Sequence, residues 1–307
     1  MKFEVPILFL IFKRAEPALR VLEQIRKIQP TRLFIAADGP RQGVEGESTL
    51  CSETRKKVEA RIDWDCQVIR LYRDGNLGCQ EAVGSAIDWF FSQVEEGIVL
   101  EDDTLPDPSF FRFCEVLLKR HRTDSRVMHV SGNNYQGARI RGDGAYYGSQ
   151  FAHSWGWATW ARAWSLYDSS MPGFPEEWDE LSAALGYSPA RSAWWRHSLD
   201  QTLAGKINTW DWQWHYTIMR LRGLCLLPQV NLVENIGVGI NATHTVCHTN
   251  TSRTRARKLL QFHQPSILQI RPEWDEFDFQ HSVLNYRYPW RKIHQWREFR
   301  KFLSSYC

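Results

Sequence analysis

The sequence has no apolar run long enough to cross a membrane. The apolar stretch near the N-terminus, residues 7–12, is far shorter than the roughly 20 residues that a membrane-spanning helix needs. No small-residue cleavage site of a secretory signal follows it. These absences predict a cytoplasmic protein, either free in the cytoplasm or peripheral to the inner face of the membrane.

Paired cysteines and a strong charge bias are also missing. The 7 Cys are odd in number and include no Cys-x-x-Cys pair, which argues against a disulfide scaffold or a zinc site and favours a reducing compartment. A formal net charge of +3 is too small to predict a nucleic-acid partner. Tryptophan is abundant instead, with 15 residues. Most of these indoles must pack in the core, and any exposed ones can stack on sugars.

Short apolar runs alternate with helical patterns in the first 130 residues. The predicted strands are residues 7–12, 33–37, 67–72, 97–100 and 127–130, and the predicted helices begin near Glu16, Thr54, Gln80 and Pro108. This alternation predicts an α/β fold, with a Rossmann-like, mostly parallel sheet and helices on its flanks. Ligands of such sheets bind beyond the carboxyl ends of the strands.

Charged side chains follow the predicted strands at that edge, and they are Lys13-Arg14, Asp38, Arg73-Asp74 and Glu101-Asp102-Asp103. The three carboxylates at the end of the fourth strand repel one another. A hard divalent cation that is ligated by oxygen and bridges to a diphosphate offsets such repulsion. The alternative is a solvated strand end, followed by a helix that starts at Asp107-Pro108.

Several of these features together resemble a known family. A strand ending in Asp38-Gly39, a helix entered through Leu77-Gly78, and an apolar strand running into Glu101-Asp102-Asp103 and then Pro108-x-Phe110-Phe111 resemble the GT-A-fold glycosyltransferases. Within that family the motifs resemble those of the N-acetylglucosaminyltransferase I group and of bacterial nucleotide-diphospho-sugar transferases. The resemblance covers residues 3–250 and is most specific in residues 99–111.

The resemblance implies roles for individual residues of the donor site. It implies that Asp103, the last residue of a motif similar to Asp-x-Asp, binds Mn²⁺ (or Mg²⁺), which in turn binds the donor diphosphate. The other implied donor-site residues are Asp102 near the ribose, Arg14 on the diphosphate, Asp38 on the base, and Glu101 and Asp74 beside them.

Glycosyl transfer also needs a base for the acceptor hydroxyl. The second half offers Asp168, Asp179, Asp200 and Asp211. We favour Asp211, because the resembling family places its catalytic Asp in a Trp-Asp-x-Trp context and because aromatic neighbours desolvate a carboxylate. The alternative is an Asp that caps a helix starting at Trp212.

Two further segments are predicted to complete the site. Residues 154–160, with three Trp, are predicted to form an acceptor-side wall, although plain packing explains most of these indoles. His244 follows a Gly-rich loop and matches the late His that completes the metal shell in many GT-A enzymes. A hydrogen-bonding role in the loop is the alternative for His244.

Residues 1–250 are predicted to form one GT-A domain, with a nucleotide-sugar half (1–131) and an acceptor half (132–250). Residues 251–307 are predicted to form a basic linker and an amphipathic helical tail. Trp290 and Trp296 recur at helical spacing in that tail, with Arg and Lys between them. Residues 286–303 therefore fit either peripheral membrane contact or packing on the domain or on a second subunit of a homodimer.

The sequence thus predicts an inverting, metal-dependent glycosyltransferase. It would move a hexosyl or N-acetylhexosaminyl group from a nucleotide-diphosphate sugar, with UDP-sugars favoured, to a glycan or lipid-linked acceptor. A metal-dependent nucleotidyltransferase or phosphohydrolase would need a Gly- or Lys-rich phosphate loop, and Lys13-Arg14 has no glycine beside it. A non-catalytic nucleotide-sugar or glycan-binding protein is the remaining alternative.

Overall fold

The computed structural model describes residues 2–137, 139–237 and 255–284. Strands and helices alternate in the first part of the chain: β1 (Ile7–Ile11), α1 (Ala15–Ile28), β2 (Arg32–Ala37), α2 (Glu47–Glu59), β3 (Gln67–Tyr72), α3 (Cys79–Phe91), β4 (Glu96–Glu101), β5 (Thr104–Pro106), α4 (Pro108–His121) and β6 (Val127–Ser131). The later elements are β7 (Tyr146–Ser149), β8 (Trp157–Trp160), α5 (Ala161–Trp164), α6 (Trp178–Ala184), α7 (Pro189–Leu203), α8 (Asp211–Arg220), β9 (Leu224–Pro228), β10 (Val233–Asn235) and α9 (Pro272–Asp278), which a π-helical turn (Phe279–Leu284) follows.

The five predicted strands of the first half are confirmed, and so is the α/β class. The second helix differs from its prediction, because it begins at Glu47 and not near Thr54. Glu47 is buried and accepts hydrogen bonds from Lys13 and Arg41. Such contacts from other segments are invisible in the local pattern, in which Glu47 resembles a polar loop residue.

Eight strands form one mixed sheet in the order β3-β2-β1-β4-β8-β6-β9-β7. β1 to β4 are parallel to one another in the Rossmann manner, and β6 and β9 are also parallel. β8 runs antiparallel between β4 and β6, and β7 runs antiparallel to β9. The sheet is therefore mostly parallel with flanking helices, which is consistent with a GT-A-like fold.

Helices cover both faces of the sheet. α1 and α4 pack on one face with residues such as Leu22, Ile25 and Leu117. α3 and α8 pack on the other face with Ile87 and Trp214. The sheet is buried on both sides because its strands are almost continuously apolar, as expected for a parallel sheet.

The register brings several strand ends to one edge. Leu10 at the end of β1 pairs with Glu101 at the end of β4. Trp157, the first residue of β8, pairs with Val99 in β4 and with Ser131 at the end of β6. The residues that follow β1, β4 and β6, together with those that precede β8, therefore lie at the same edge of the sheet.

Residues 255–284 pack against the sheet. Residue 270 forms a β-bridge with residue 148 in β7, and Asp275 of α9 accepts hydrogen bonds from Ser149 and Gln150. The predicted division at residue 250 stays a prediction, and residues 286–303 of the predicted tail lie outside the described residues. In the described part of the chain, no helix combines the length and apolarity needed to cross a bilayer.

Candidate active site

A tight turn at the end of β4 carries the acidic motif. Thr104 Oγ1 accepts from the Glu101 amide at 2.9 Å and lies 3.0 Å from the Glu101 carbonyl oxygen, to which it donates. This closes the chain between β4 and β5, with Asp102 and Asp103 between the two strands. β5 pairs antiparallel with β10, and the Ile236 amide donates to the Asp103 carbonyl at 2.8 Å. The residues after β10 therefore lie directly against Asp103.

Arg14, which follows β1, bridges two of the carboxylates. Its Nη2 donates to Asp102 Oδ1, and to Asp103 Oδ2 at 2.8 Å. Burial alone would lower the pKa of Arg14, but the charges and hydrogen bonds of Asp102 and Asp103 raise it. Arg14 thus offsets part of the repulsion among the carboxylates. The sequence analysis expected a bound cation to offset all of it.

The cluster still carries excess negative charge. Burial raises the pKa of Glu101, and the charges of Asp103, Asp102 and Asp211 raise it further. Burial also raises the pKa of Asp102, although Arg14 opposes this shift. Carboxyl groups that resist ionisation in this way indicate a site that favours an added positive charge.

The turn is suited to a cation whose remaining ligands come from a substrate. Asp102 Oδ2 is buried and has no hydrogen-bond partner among the described residues. Two carboxylates suit a hard cation, and Mg²⁺ in particular is commonly held by one or two carboxylates plus substrate phosphates. No cluster of three or more His, Cys, Asp or Glu within the described ranges could hold a metal alone. The predicted ligand His244 lies outside those ranges.

Asp38 and Asp74 lie in the neighbouring loops after β2 and β3. The Asp38 carboxylate accepts from Asn76 Nδ2 at 2.8 Å, and from the amides of Leu77 at 3.0 Å and Gly78 at 3.2 Å. Its oxygens therefore hold the loop that leads into α3. Asp74 is exposed in the same loop. Base recognition by Asp38 and donor contact by Asp74 stay predictions.

Asp211 is the first residue of α8, so the helix begins one residue before the predicted start at Trp212. Thr209 Oγ1 donates to Asp211 Oδ1, and Ser154 Oγ donates to Asp211 Oδ2 at 3.3 Å. Asn208 Oδ1 accepts from the Gln80 amide at 2.7 Å, which ties the segment before Asp211 to the start of α3. Asp211 thus lies at the site edge, and its catalytic role stays a prediction.

A buried histidine fixes the segment opposite Asp211. Trp214 Nε1 donates to His129 Nδ1 at 3.2 Å, and His129 Nε2 donates to the His153 carbonyl at 3.1 Å. Burial lowers the pKa of His129 to about 3, so the ring is neutral near neutral pH. Because Trp214 lies one turn after Asp211 on α8, this chain of hydrogen bonds fixes residues 153–154 relative to the helix. Sequence reasoning missed His129, since no local pattern links residues 85 positions apart.

The predicted acceptor wall, residues 154–160, is mostly core. Trp157 and Trp160 belong to β8 and are each 1% exposed, which confirms the packing alternative for these two. Trp155 is half-buried at the site edge, with its ring 6.1 Å from that of Tyr135. Trp155 is thus the partly exposed Trp of this segment, and sugar stacking by it stays a prediction.

The C-terminal segment also reaches this edge. His153 Nε2 lies 3.1 Å from Asp278 Oδ1, and the Asp278 side chain is fully buried. His153 stacks on Phe151 and contacts Tyr135 through its ring. Asp278 lies beyond residue 250, so a residue outside the predicted domain supports the site edge.

Comparison with known proteins finds only solved structures that are distantly similar to this chain. No family model and no curated protein matches the chain. Similar solved structures include a mannosyltransferase from Pyrobaculum calidifontis in complex with GDP-Man and Mn²⁺, with 15% identity over 63% of this chain and 51% of that one and a TM-score of 0.37. Another is a UDP-glucose pyrophosphorylase complexed with UDP-glucose, with 13% identity, 55% and 81% coverage and a TM-score of 0.34. A third is the inositol-1-phosphate CTP transferase from T. maritima, with 12% identity, 55% and 76% coverage and a TM-score of 0.32.

The chain thus spans about half the length of the mannosyltransferase that it matches. TM-scores this low carry no argument about function. None of the three likenesses singles out the N-acetylglucosaminyltransferase I group.

Proposed function

We propose that this chain is a metal-dependent glycosyltransferase. It transfers a hexosyl or N-acetylhexosaminyl group, with inversion, from a nucleotide-diphosphate sugar to a hydroxyl of a glycan or glycolipid. UDP-sugars are the favoured donors. The observation that supports this most is the Asp102–Asp103 turn, which has an unpartnered buried oxygen and Arg14 across it, at the carboxyl edge of the sheet.

On the donor side, Asp102 and Asp103 are the residues that would hold Mn²⁺ or Mg²⁺. When bound, the cation neutralises charge that grows on the leaving diphosphate. Arg14 already contacts both carboxylates, so it is placed to bind the phosphates of a donor held at the same turn. Its positive charge would stabilise the leaving group. His244 stays a proposed further ligand.

On the acceptor side, Asp211 takes the proton of the attacking hydroxyl. The hydroxyl oxygen bonds to the anomeric carbon while the bond from that carbon to the diphosphate oxygen breaks. Ser154 and Thr209 orient the Asp211 carboxylate through their hydroxyl groups. The rings of Trp155 and Tyr135 offer apolar faces for an acceptor sugar. One well-placed base favours inversion over retention.

Donor binding is the first test. Calorimetry of UDP, GDP, CMP and ADP, each with Mn²⁺ and with EDTA, should reveal one nucleotide that binds only with the metal. Substitution of residues that support metal ligands from the outer shell typically weakens metal binding by roughly 10–100-fold. Asp103→Asn, which alters a proposed ligand itself, should weaken the metal-dependent nucleotide binding by more than that. Asp179→Asn is the matched control, because this carboxylate is 86% exposed on α6. Metal-independent binding, or none to any nucleotide, would refute the proposal.

Turnover is the second test. With the matching nucleotide sugar, Asp211→Asn should bind the nucleotide as the wild type does, yet release nucleoside diphosphate about 10²–10⁴-fold more slowly. Nucleotide binding without any turnover of the wild type would favour a non-catalytic binding protein. Formation of pyrophosphate bonds from a nucleoside triphosphate and a sugar phosphate would favour a nucleotidyltransferase.

A further inference from the structure

The most exposed large apolar side chains lie on two segments of the chain that contact each other. Among the described residues, Leu260 is 83% exposed, Ile267 68% and Ile140 67%, whereas the next large apolar side chain, Leu166, is 51% exposed. A single exposed Leu needs no explanation, but large apolar groups gathered on one surface indicate an interaction site.

Hydrogen bonds join the two segments that carry these three residues. The Ser266 amide donates to Asp143 Oδ1 at 3.0 Å, and the Ala145 amide donates to the His263 carbonyl at 2.8 Å. We call this contact the junction. It fixes the stretch that contains Leu260 and Ile267 against the loop that contains Ile140.

Each of the three side chains is close to the junction along the chain. Ile140 precedes Asp143 by three residues, Leu260 precedes His263 by three, and Ile267 directly follows Ser266. Three residues of even fully extended chain span about 10 Å. The backbones of these three exposed residues therefore all lie within about 10 Å of the junction.

This surface is also basic. Residues 255–271 contain no Asp or Glu, and their cationic residues are Arg255, Arg257, Lys258 and Arg271. Residues 255, 257 and 258 are exposed. The Arg257 amide donates to the Asn231 carbonyl at 2.7 Å, so the basic stretch begins beside β10. A chain with a formal net charge of only +3 thus concentrates positive charge here.

We propose that the apolar-basic surface, formed by Ile140, Leu260, Ile267 and residues 255–258, binds an anionic lipid bilayer. Aliphatic side chains enter the headgroup boundary while Lys and Arg are attracted to anionic lipids. A single-stranded nucleic acid would need aromatic platforms for its bases. Phe262 in this stretch is only 36% exposed, and its ring packs against those of Phe113 and Tyr146.

The surface borders the acceptor half of the site edge. The Arg141 amide donates to Gln229 Oε1 at 2.9 Å, and Gln229 follows the carboxyl end of β9. A bilayer bound here would bring a lipid-linked acceptor to this edge of the site. That last consequence rests on the proposed function, whereas membrane binding itself does not.

Sedimentation of the full chain with vesicles tests the proposal. The wild type should bind phosphatidylcholine vesicles that contain phosphatidylglycerol, and added salt should weaken the binding. The double variant Leu260→Ser, Ile267→Ser should bind at least about tenfold more weakly, because each lost apolar contact is worth roughly that factor. The matched control is Leu166→Ser, Leu203→Ser, which alters leucines that are 51% and 48% exposed elsewhere.

Three outcomes would overturn the proposal. The wild type could fail to bind the anionic vesicles. The double variant could bind as the wild type does, which would assign the binding to residues outside this surface, such as the predicted tail kept in all variants. Soluble heparin could bind with no effect of the double variant, which would indicate a polyanion site. Thermal melting of each variant separates loss of binding from loss of fold, and no outcome depends on transferase activity.

Discussion

Arg14 occupies carboxylate oxygens that a cation at the acidic turn would also use. Its guanidinium contacts Asp102 Oδ1 and Asp103 Oδ2, so a cation that binds these carboxylates must share them with Arg14 or displace it. Phosphate oxygens would offer Arg14 replacement partners. Metal and nucleotide are therefore expected to bind cooperatively, with neither binding tightly alone.

Gly237 is the residue whose enlargement should affect this turn most directly. A Cβ atom on Gly237 would lie 2.0 Å from Asp103 Oδ2, which forces the carboxylate or the residues after β10 to shift. We expect Gly237→Ala to weaken metal-dependent nucleotide binding by about tenfold or more, as measured by calorimetry.

Gly84→Ala serves as the control for that variant, because its Cβ would meet Tyr167 at an ordinary 3.8 Å within α3. Ala in a helix interior is worth about 0.5–1 kcal/mol over Gly, so this control should bind normally and melt no earlier. Normal nucleotide affinity in Gly237→Ala would show that Asp103 is not constrained from that side.

Strand ends explain which site residues the sequence could predict. Arg14 and Glu101–Asp103 each follow an apolar strand directly, so their convergence follows from the parallel order of the strands. The hydrogen bonds of Asp38 to residues 76–78 could not be predicted, because they join loops 38 to 40 positions apart. The same holds for His129, whose partners lie on other elements.

At the scale of elements, α9 docks through a buried carboxylate. Asp275 is 1% exposed and accepts from Ser149 Oγ at 2.6 Å and from the Gln150 amide at 3.0 Å. Burial raises the pKa of Asp275 from 3.8 to about 6, although Arg191 and the hydrogen bond from Ser149 oppose this shift. The charged form is therefore less favourable in the folded chain than in the unfolded one.

This shift predicts a pH dependence of stability. Between pH 3.8 and about 6 the folded state binds more protons at Asp275 than the unfolded state does. The contribution of Asp275 to the free energy of unfolding is thus fully present below pH 3.8 and is lost as the pH rises through about 6. Asp275→Asn should remove that slope and raise the free energy of unfolding at pH 7.5 by about 3 kcal/mol.

Urea titrations at several pH values measure this effect. Glu273→Gln, an exposed change on the same helix, should leave the slope as in the wild type. A lower stability of Asp275→Asn at pH 7.5 would mean that the ionised form of Asp275 stabilises α9.

β8 is one of the strands whose place in the sheet the sequence did not reveal, as are β7 and β9. Trp157–Trp160 is only 4 residues long, and all four are buried. Its antiparallel position between β4 and β6 depends on pairing with residues that are distant in the chain. A run this short does not distinguish a strand from other buried structure.

At the scale of the whole molecule, the extent of the folding unit can be tested by truncation. A chain ending at residue 250 lacks Asp275 and Asp278 and leaves Ser149, Gln150 and His153 without these partners. Unpaired buried polar groups each cost about 1–3 kcal/mol. We therefore expect the midpoint of thermal unfolding to fall by at least about 5 °C relative to a chain ending at residue 284.

Calorimetric melting of the two truncated chains and the full chain gives the comparison. Equal midpoints for the chains ending at 250 and 284 would support the predicted domain boundary at residue 250.

The position of β8 also constrains the order in which the molecule can be completed during synthesis. β1 to β4 leave the ribosome before β8 and can pair with one another, because their partners among these four strands are already present. The other edge of β4 has no strand to pair with until residues 157–160, which form β8, have been synthesised. A nascent chain halted before that point exposes an apolar strand edge, the kind of surface that invites pairing with other chains.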